Sequence, residues 1–198
     1  MPLTFAADTP DATPLHIVES DGFDAWLATC APEDQAWITR NGFTGALGQA
    51  LLAPGLAVAG YGTAAQRARG RFHIATAAAK LPMGTYRLAT ELSEPDASEV
   101  ALGWLLSTYR FDRYKAQSAP GAHLVAPTNI DSARVEAMAA GEALTRDLIN
   151  TPAADMGPAE LEAAAAAVVD RLAANAPLSL RAMKGVLTRQ MTFRDGIH

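Results

Sequence analysis

The chain has 198 residues, of which 49% are hydrophobic and 19% charged; this length and balance suit one packed domain with an appendage and exclude a disordered polymer. Sixteen basic against twenty-one acidic side chains leave a net charge of -5, so no global positive field exists to draw nucleic acid or an anionic membrane. The single Cys30 can close no internal disulfide and supply no thiolate cluster.

Residues 1–14 mix Pro, Thr, Asp and Ala without period and are expected as a flexible arm. The N-terminus also lacks the basic flank and long apolar run of a secretory signal, and no segment approaches the ~20 apolar residues of a membrane span, so a cytoplasmic location is expected. Leu15-His16-Ile17-Val18-Glu19 reads as a strand, with Ser20 and Asp21 placed to cap a helix over Phe23, Trp26 and Leu27. Pro32, followed by Glu33 and Asp34, opens a second helix through Trp37 and Ile38 that Asn41-Gly42 can close. Apolar runs at 47–52 and 56–61 flank Pro54-Gly55 and predict a hairpin or two adjacent strands.

A helical stretch is expected from Arg67 to Leu81, then a half-buried strand at 84–89, whose residues alternate at period two. A helix from about Ser98 to Arg110 and a strand at 123–126 follow. Ala137, Ala140, Leu144 and Leu148 share one face of a long helix, and Pro158 opens another with Leu161, Ala165, Val168 and Leu172 on its stripe. A last helix is expected from about Leu178, carrying Leu180, Met183, Leu187 and Met191. Within 171–198, Arg171, Arg181, Lys184, Arg189 and Arg194 face only Asp195, a local charge of +4 that leaves -9 on the remainder. Strands alternating with helices define an α/β layer fold.

Sites of chemistry are sparse. His16, His73, His123 and His198 are scattered singly, without the i,i+3 or i,i+4 spacing that sets two imidazoles on one helix face for a metal. His16 and His123 lie in apolar strand contexts and read as hydrogen-bonded structural histidines. No serine from Ser20 to Ser179 stands in a Gly-x-Ser-x-Gly setting. Gly60-Tyr61-Gly62 could offer backbone amides to a phosphate, but it lacks the further glycines or Gly-Lys-Ser/Thr of a phosphate loop and reads as a simple turn. Glu91, Glu94, Asp96 and Glu99 surround Pro95 as a solvated loop and an acidic helix start rather than a cation site. The segment Arg110-Phe111-Asp112-Arg113-Tyr114-Lys115 reads as a helix cap with arginine–carboxylate pairing, in preference to a phosphate patch.

Two stretches carry a resemblance. Ala101-Leu102-Gly103-Trp104-Leu105-Leu106-Ser107-Thr108-Tyr109-Arg110-Phe111-Asp112-Arg113-Tyr114-Lys115 and Leu144-Thr145-Arg146-Asp147-Leu148-Ile149-Asn150-Thr151-Pro152-Ala153-Ala154-Asp155-Met156-Gly157-Pro158-Ala159-Glu160-Leu161 resemble the cytosolic leucyl aminopeptidase family over about 15–168. The resemblance implies a macro-domain-like unit at 15–150, a small mixed sheet with helices on both faces, followed by C-terminal helices at 151–198. It also implies a parent activity that releases N-terminal amino acids from peptides. In such enzymes two divalent ions, zinc or manganese, polarise the scissile carbonyl and activate a bridging water.

The family's lysine-bearing Gly-rich segment and its Asn-Thr-Asp-Ala-Glu-Gly-Arg segment do not occur in this sequence, whose only lysines are Lys80, Lys115 and Lys184. No catalytic, metal or cofactor residue is therefore assigned, and the chain is expected to be the non-catalytic N-terminal portion. Its expected partners are a catalytic domain or further copies in the family's hexamer. Residues 173–184 and 189–197 resemble the C-terminal segment of enoyl-CoA hydratases, so 151–198 reads as a truncated, chimeric extension. The segment beyond about Asn150 is expected to be mobile, detached or self-associated. Alternative functions are an ADP-ribose-like nucleotide module, drawn from the macro-domain likeness, and a CoA-related hydratase fragment.

Overall fold

A computed structural model describes residues 3–118 and 121–175. These residues group into two units that divide between Asp147 and Leu148. The first unit holds a five-stranded sheet of order β2-β3-β1-β4-β5, built from β1 (Thr13–Glu19), β2 (Ala50–Leu52), β3 (Ala57–Gly62), β4 (Gly84–Leu88) and β5 (Ala122–Leu124). β1 runs parallel to both β3 and β4, β4 runs parallel to β5, and only β2 is antiparallel to its neighbour. The fold is thus the expected mixed α/β sheet, and residues 50–62 form the expected hairpin.

Alternation along β1 feeds two cores. Leu15 and Ile17 enter the larger one, with Ala57 and Ala59 of β3 and Tyr86 of β4. Covering that face are α4 (Ile74–Ala78), α5 (Glu94–Ser107) and α6 (Ser132–Asn150), which contribute Ile74, Trp104 and Val135. Val18 and Val58 face the opposite side and pack with Ile38, Phe43 and Leu56. There α1 (Phe23–Leu27) and α2 (Pro32–Arg40) form the cover. Helices accordingly lie on both faces of the sheet.

The boundary signals of α2 act as read. Pro32 occupies its first turn with Glu33 and Asp34, and Gly42, at φ 65°, carries the chain away in the left-handed region. Buried Asp34 does more than favour the helix dipole: its Oδ1 accepts the Gly55 N–H at 3.0 Å and ties the helix start to the hairpin turn. For α5, Ser93 caps the first turn by accepting the Asp96 N–H, with Pro95 beside it, so the helix begins about four residues before the expected Ser98 and ends at Ser107 rather than Arg110.

The stretch expected as one helix from Arg67 to Leu81 is two, α3 (Ala64–Arg67) and α4. Between them Phe72 sits at φ 57°, a conformation a bulky side chain rarely adopts. Contacts distant in sequence hold it there. Glu99 Oε1 accepts the Phe72 N–H at 3.4 Å, and a Cβ on Gly103 of α5 would lie 3.2 Å from the Phe72 Cα.

The segment expected as a flexible arm is tied to the sheet. Leu3 is buried in the larger core, the Phe5 N–H donates to Glu136 Oε1 at 2.9 Å, and the Ala6 N–H donates to the Leu124 carbonyl at 2.9 Å beside β5. Arg87 pairs with Asp8 and donates to the Thr9 carbonyl at 2.7 Å. Apolar anchorage of one leucine and one strand-like contact suffice where no periodic pattern exists to signal them. The second unit contains α7 (Pro158–Asn175), opened by Pro158 as expected. The helix expected from Leu178 lies outside the described residues. Among the described residues no helix is long and apolar enough to cross a membrane.

Candidate functional site: a cleft at the carboxyl ends of the parallel strands

The chain leaves β1 for β3 on one side and then returns past β1 to β4 on the other. The carboxyl ends of β1 and β4 therefore form a topological switch point, the place where open α/β sheets accommodate ligands. A cleft of about 400 Å3 lies there, walled by Ile17 and Glu19 of β1, Tyr61 of β3, Arg67 and His73. Thr90 and Glu91 after β4, with Asp96 and Glu99 of α5, complete it. A second cleft of about 500 Å3 opens where the segments after β4 and β5 splay apart, between 87–92 and 125–129. Thr90, Glu91 and Leu92 wall both.

Most charge in the first cleft is already engaged. Arg67, 19% exposed, pairs with Glu19 at 2.6 Å. Its Nη1 donates to the Tyr61 and Gly62 carbonyls at 3.1 and 3.2 Å, and its guanidinium lies 4.6 Å from the centre of the Tyr61 ring. Arg71 pairs with Glu99 at 3.2 Å, and Asp96 accepts the Ser93 hydroxyl at 2.5 Å. The Tyr61 hydroxyl is pushed above its ordinary pKa by burial first and then by the Glu99 carboxylate, with Arg67 acting against them. That phenol stays neutral, in a field weighted toward carboxylates.

The glycines expected as a simple turn are part of β3. The Gly60 N–H donates to the Gln49 carbonyl and the Gly62 N–H to the Gly45 carbonyl, both at 2.8 Å. Neither amide is available to a phosphate, and a diphosphate in the cleft would face Glu19, Glu91, Asp96 and Glu99. The residues of this cleft do not suit ADP-ribose.

The histidines part company. His16 Nδ1 accepts the Trp26 indole N–H at 3.4 Å, and burial lowers its pKa from the usual 6.5, as a structural neutral imidazole requires. His73 Nε2 lies 3.1 Å from the Arg67 carbonyl, its ring edge-on to Tyr61. His123 is exposed between buried Ala122 and Leu124, because alternation in β5 turns it outward, so the expected role as a hydrogen-bonded structural histidine does not suit it. His198 lies outside the described residues. Cys30 donates to the Trp26 carbonyl at 3.7 Å, and its thiol pKa is raised by burial and then by Asp34. Arg110 caps the end of α5 through the Ser107 and Tyr109 carbonyls at 3.0 and 2.7 Å.

His16 supports a pH prediction. The fold holds it neutral while the unfolded chain binds a proton near pH 6.5, so its contribution is fully present above about 6.5. It is lost as pH falls from there through the lowered folded value. Urea melts at pH 7.5, 6.5 and 5.5 are expected to show His16→Gln with a flatter pH dependence than the parent. Identical slopes for the two proteins would remove His16 as the source.

Sequence reasoning did not gather Tyr61, Arg67, Glu19 and Thr90 into one place. Only an unpaired-looking run of Arg67, Arg69 and Arg71 beside the glycines hinted at Arg67, and nothing local pairs it with a residue 48 positions earlier.

Residues 13–127, more than half of the chain and spanning the whole sheet, match the family defined as the M17 aminopeptidase N-terminal domain. The chain belongs to the M17 aminopeptidase family. Its fold is similar to the crystal structure of the cytosol aminopeptidase from Coxiella burnetii, with a TM-score of 0.71 and 27% identity over 87% of this chain. The chain spans 38% of the length of that enzyme. Among curated proteins nothing matches. The hydratase resemblance of the tail gains no support from these comparisons, and residues 176–198 lie outside those described.

The pair of divalent ions implied by the family finds no matching donor set. Among the described residues no group of three or more His, Cys, Asp or Glu side chains could hold a metal ion, and Glu19 and Glu99 already face arginines. The described residues do not fit a two-ion centre.

Proposed function

We propose that the α/β unit, at 15–150, is the accessory N-terminal domain of an M17 aminopeptidase, with 151–198 a separate extension. The observation that carries this reading is the family match at 13–127, which coincides with the complete sheet. In this role the domain performs no bond cleavage of its own. Release of N-terminal residues from peptides, in the cytoplasm, would depend on two divalent ions held by residues other than those described. Its partners are an aminopeptidase catalytic domain and further copies in an oligomer.

The purified chain, supplied with zinc or manganese, is expected to release no product from leucine p-nitroanilide. Addition of a separately expressed M17 catalytic domain is expected to bind it and to give turnover that a chelator abolishes. Chelator-sensitive turnover by the chain alone would overturn the accessory role, and failure of any M17 catalytic domain to bind it would overturn the partnership.

A further inference from the structure

Strand β2 stands at one end of the sheet order, so one of its edges faces away from β3. The Gln49 carbonyl accepts the Gly60 N–H and the Ala53 N–H donates to the Leu56 carbonyl, both at 2.8 Å. The Gln49 N–H turns back to the Ala46 carbonyl at 3.0 Å and the Gly48 N–H takes its place on Gly60, so the regular ladder starts after Gln49; by alternation within it, Leu51 and Ala53 turn their peptide groups toward β3, and Ala50 and Leu52 turn theirs outward. Such an outward row is a template on which another strand can add.

Two side chains reach this edge from opposite faces of the sheet. Trp37 Nε1, from α2, donates to the Leu52 carbonyl at 3.1 Å. Lys80 Nζ, from the turn after α4, donates at 2.7 Å to the carbonyl of Gly48, in the turn two residues before β2. Asn41, Phe43, Ala50 and Lys80 border the hollow of about 200 Å3 beside the strand. Trp37 is 40% exposed, and the hydrogen bond to Leu52 fixes its indole against the edge.

We propose that Trp37 and Lys80 are edge caps that close β2 to strand addition by a second copy of this chain. An incoming strand would have to break the Trp37 bond to Leu52 and displace the indole, and where it extends past Ala50 it would have to strip the Lys80 ammonium from the Gly48 carbonyl and from water. Any assembly of this M17 protein then proceeds through other surfaces.

Trp37→Phe with Lys80→Met removes both donors and keeps most of each side chain's bulk. Sedimentation of the full chain over a concentration series is expected to show self-association about tenfold tighter in this double variant than in the parent, the scale of freeing two backbone acceptors. Amide exchange at Ala50 and Leu52 is expected to be fast and independent of concentration in the parent. In the double variant it is expected to slow as concentration rises. Adding Ala50→Pro, which removes an outward N–H from the edge, is expected to restore the parent behaviour.

Equal association in parent and variant, with Val58 exchange showing an intact sheet, would overturn the proposal. So would concentration-dependent protection of Ala50 and Leu52 in the parent, a measurement that needs no variant to fold. Neither outcome bears on catalysis, so the accessory-domain reading stands or falls separately.

Discussion

Gly60→Ala is expected to lower the unfolding free energy by about 3 kcal/mol or more, the upper range for overpacking a well-filled site. A Cβ at this position would lie 2.0 Å from the Ala46 carbonyl oxygen and 2.9 Å from the Gly45 carbonyl carbon. Both atoms are backbone, so no side-chain rotation relieves the contact; the chain at 45–48 must move away from β3. That movement strains or breaks three hydrogen bonds, Gly60 to Gln49, Gly48 to Gly60 and Gly62 to Gly45, each contributing about 1 kcal/mol net. Gly141→Ala is the internal comparison, because Gly141 lies within α6 with nothing within 4 Å of its Cβ position. That change is expected to raise stability by about 0.5–1 kcal/mol through helix propensity. Urea denaturation followed by circular dichroism would report both signs, and a Gly60→Ala midpoint equal to the parent's would contradict the close approach of 45–48 to β3.

Trp104→Ala is expected to cost about 3–5 kcal/mol, as for other buried aromatic truncations. The side chain is 0% exposed at the centre of the larger core, its ring 5.8 Å from that of Tyr86. Trp104→Phe is expected to cost less than half as much. Trp104 Nε1 is buried with no hydrogen-bond partner among the described residues, so on folding it forfeits its bond to water, a penalty of about 1–3 kcal/mol that phenylalanine does not carry. Relief of that penalty offsets part of the smaller cavity left by the swap. Thermal and urea melts of the two variants would separate the terms. Equal losses for Phe and Ala would mean that the indole nitrogen makes a bond the fold depends on.

Much of the architecture was legible because its signals act over one turn or one strand. Pro32 and Asn41-Gly42 bracket α2 within a residue, Pro54-Gly55 marks the hairpin, and Pro158 marks the start of α7. The aminopeptidase resemblance was equally legible, since it rests on contiguous runs in and after α5 and α6, and the family match at 13–127 agrees with it. Where local grammar misled, a distant partner had intervened. Phe72 breaks the expected helix because Glu99 and Gly103 hold its backbone. Leu3 to Asp8 follow the sheet because Glu136, Leu124 and Arg87 hold them there.

The order of strands and helices, the absence of a global cationic field and the family signatures all reside in the chain as written, because periodicity, turn chemistry and contiguous motifs need no third dimension. The cleft does not. It forms only when β1, β3 and β4 lie side by side, and that pairing sets Glu19 against Arg67, turns Arg67 over Tyr61 and consumes the amides of Gly60 and Gly62. Those neighbours are tens of residues apart in sequence, and the free energy that brings them together comes from burying the two cores on either side of the sheet. No local pattern encodes which charge will meet which.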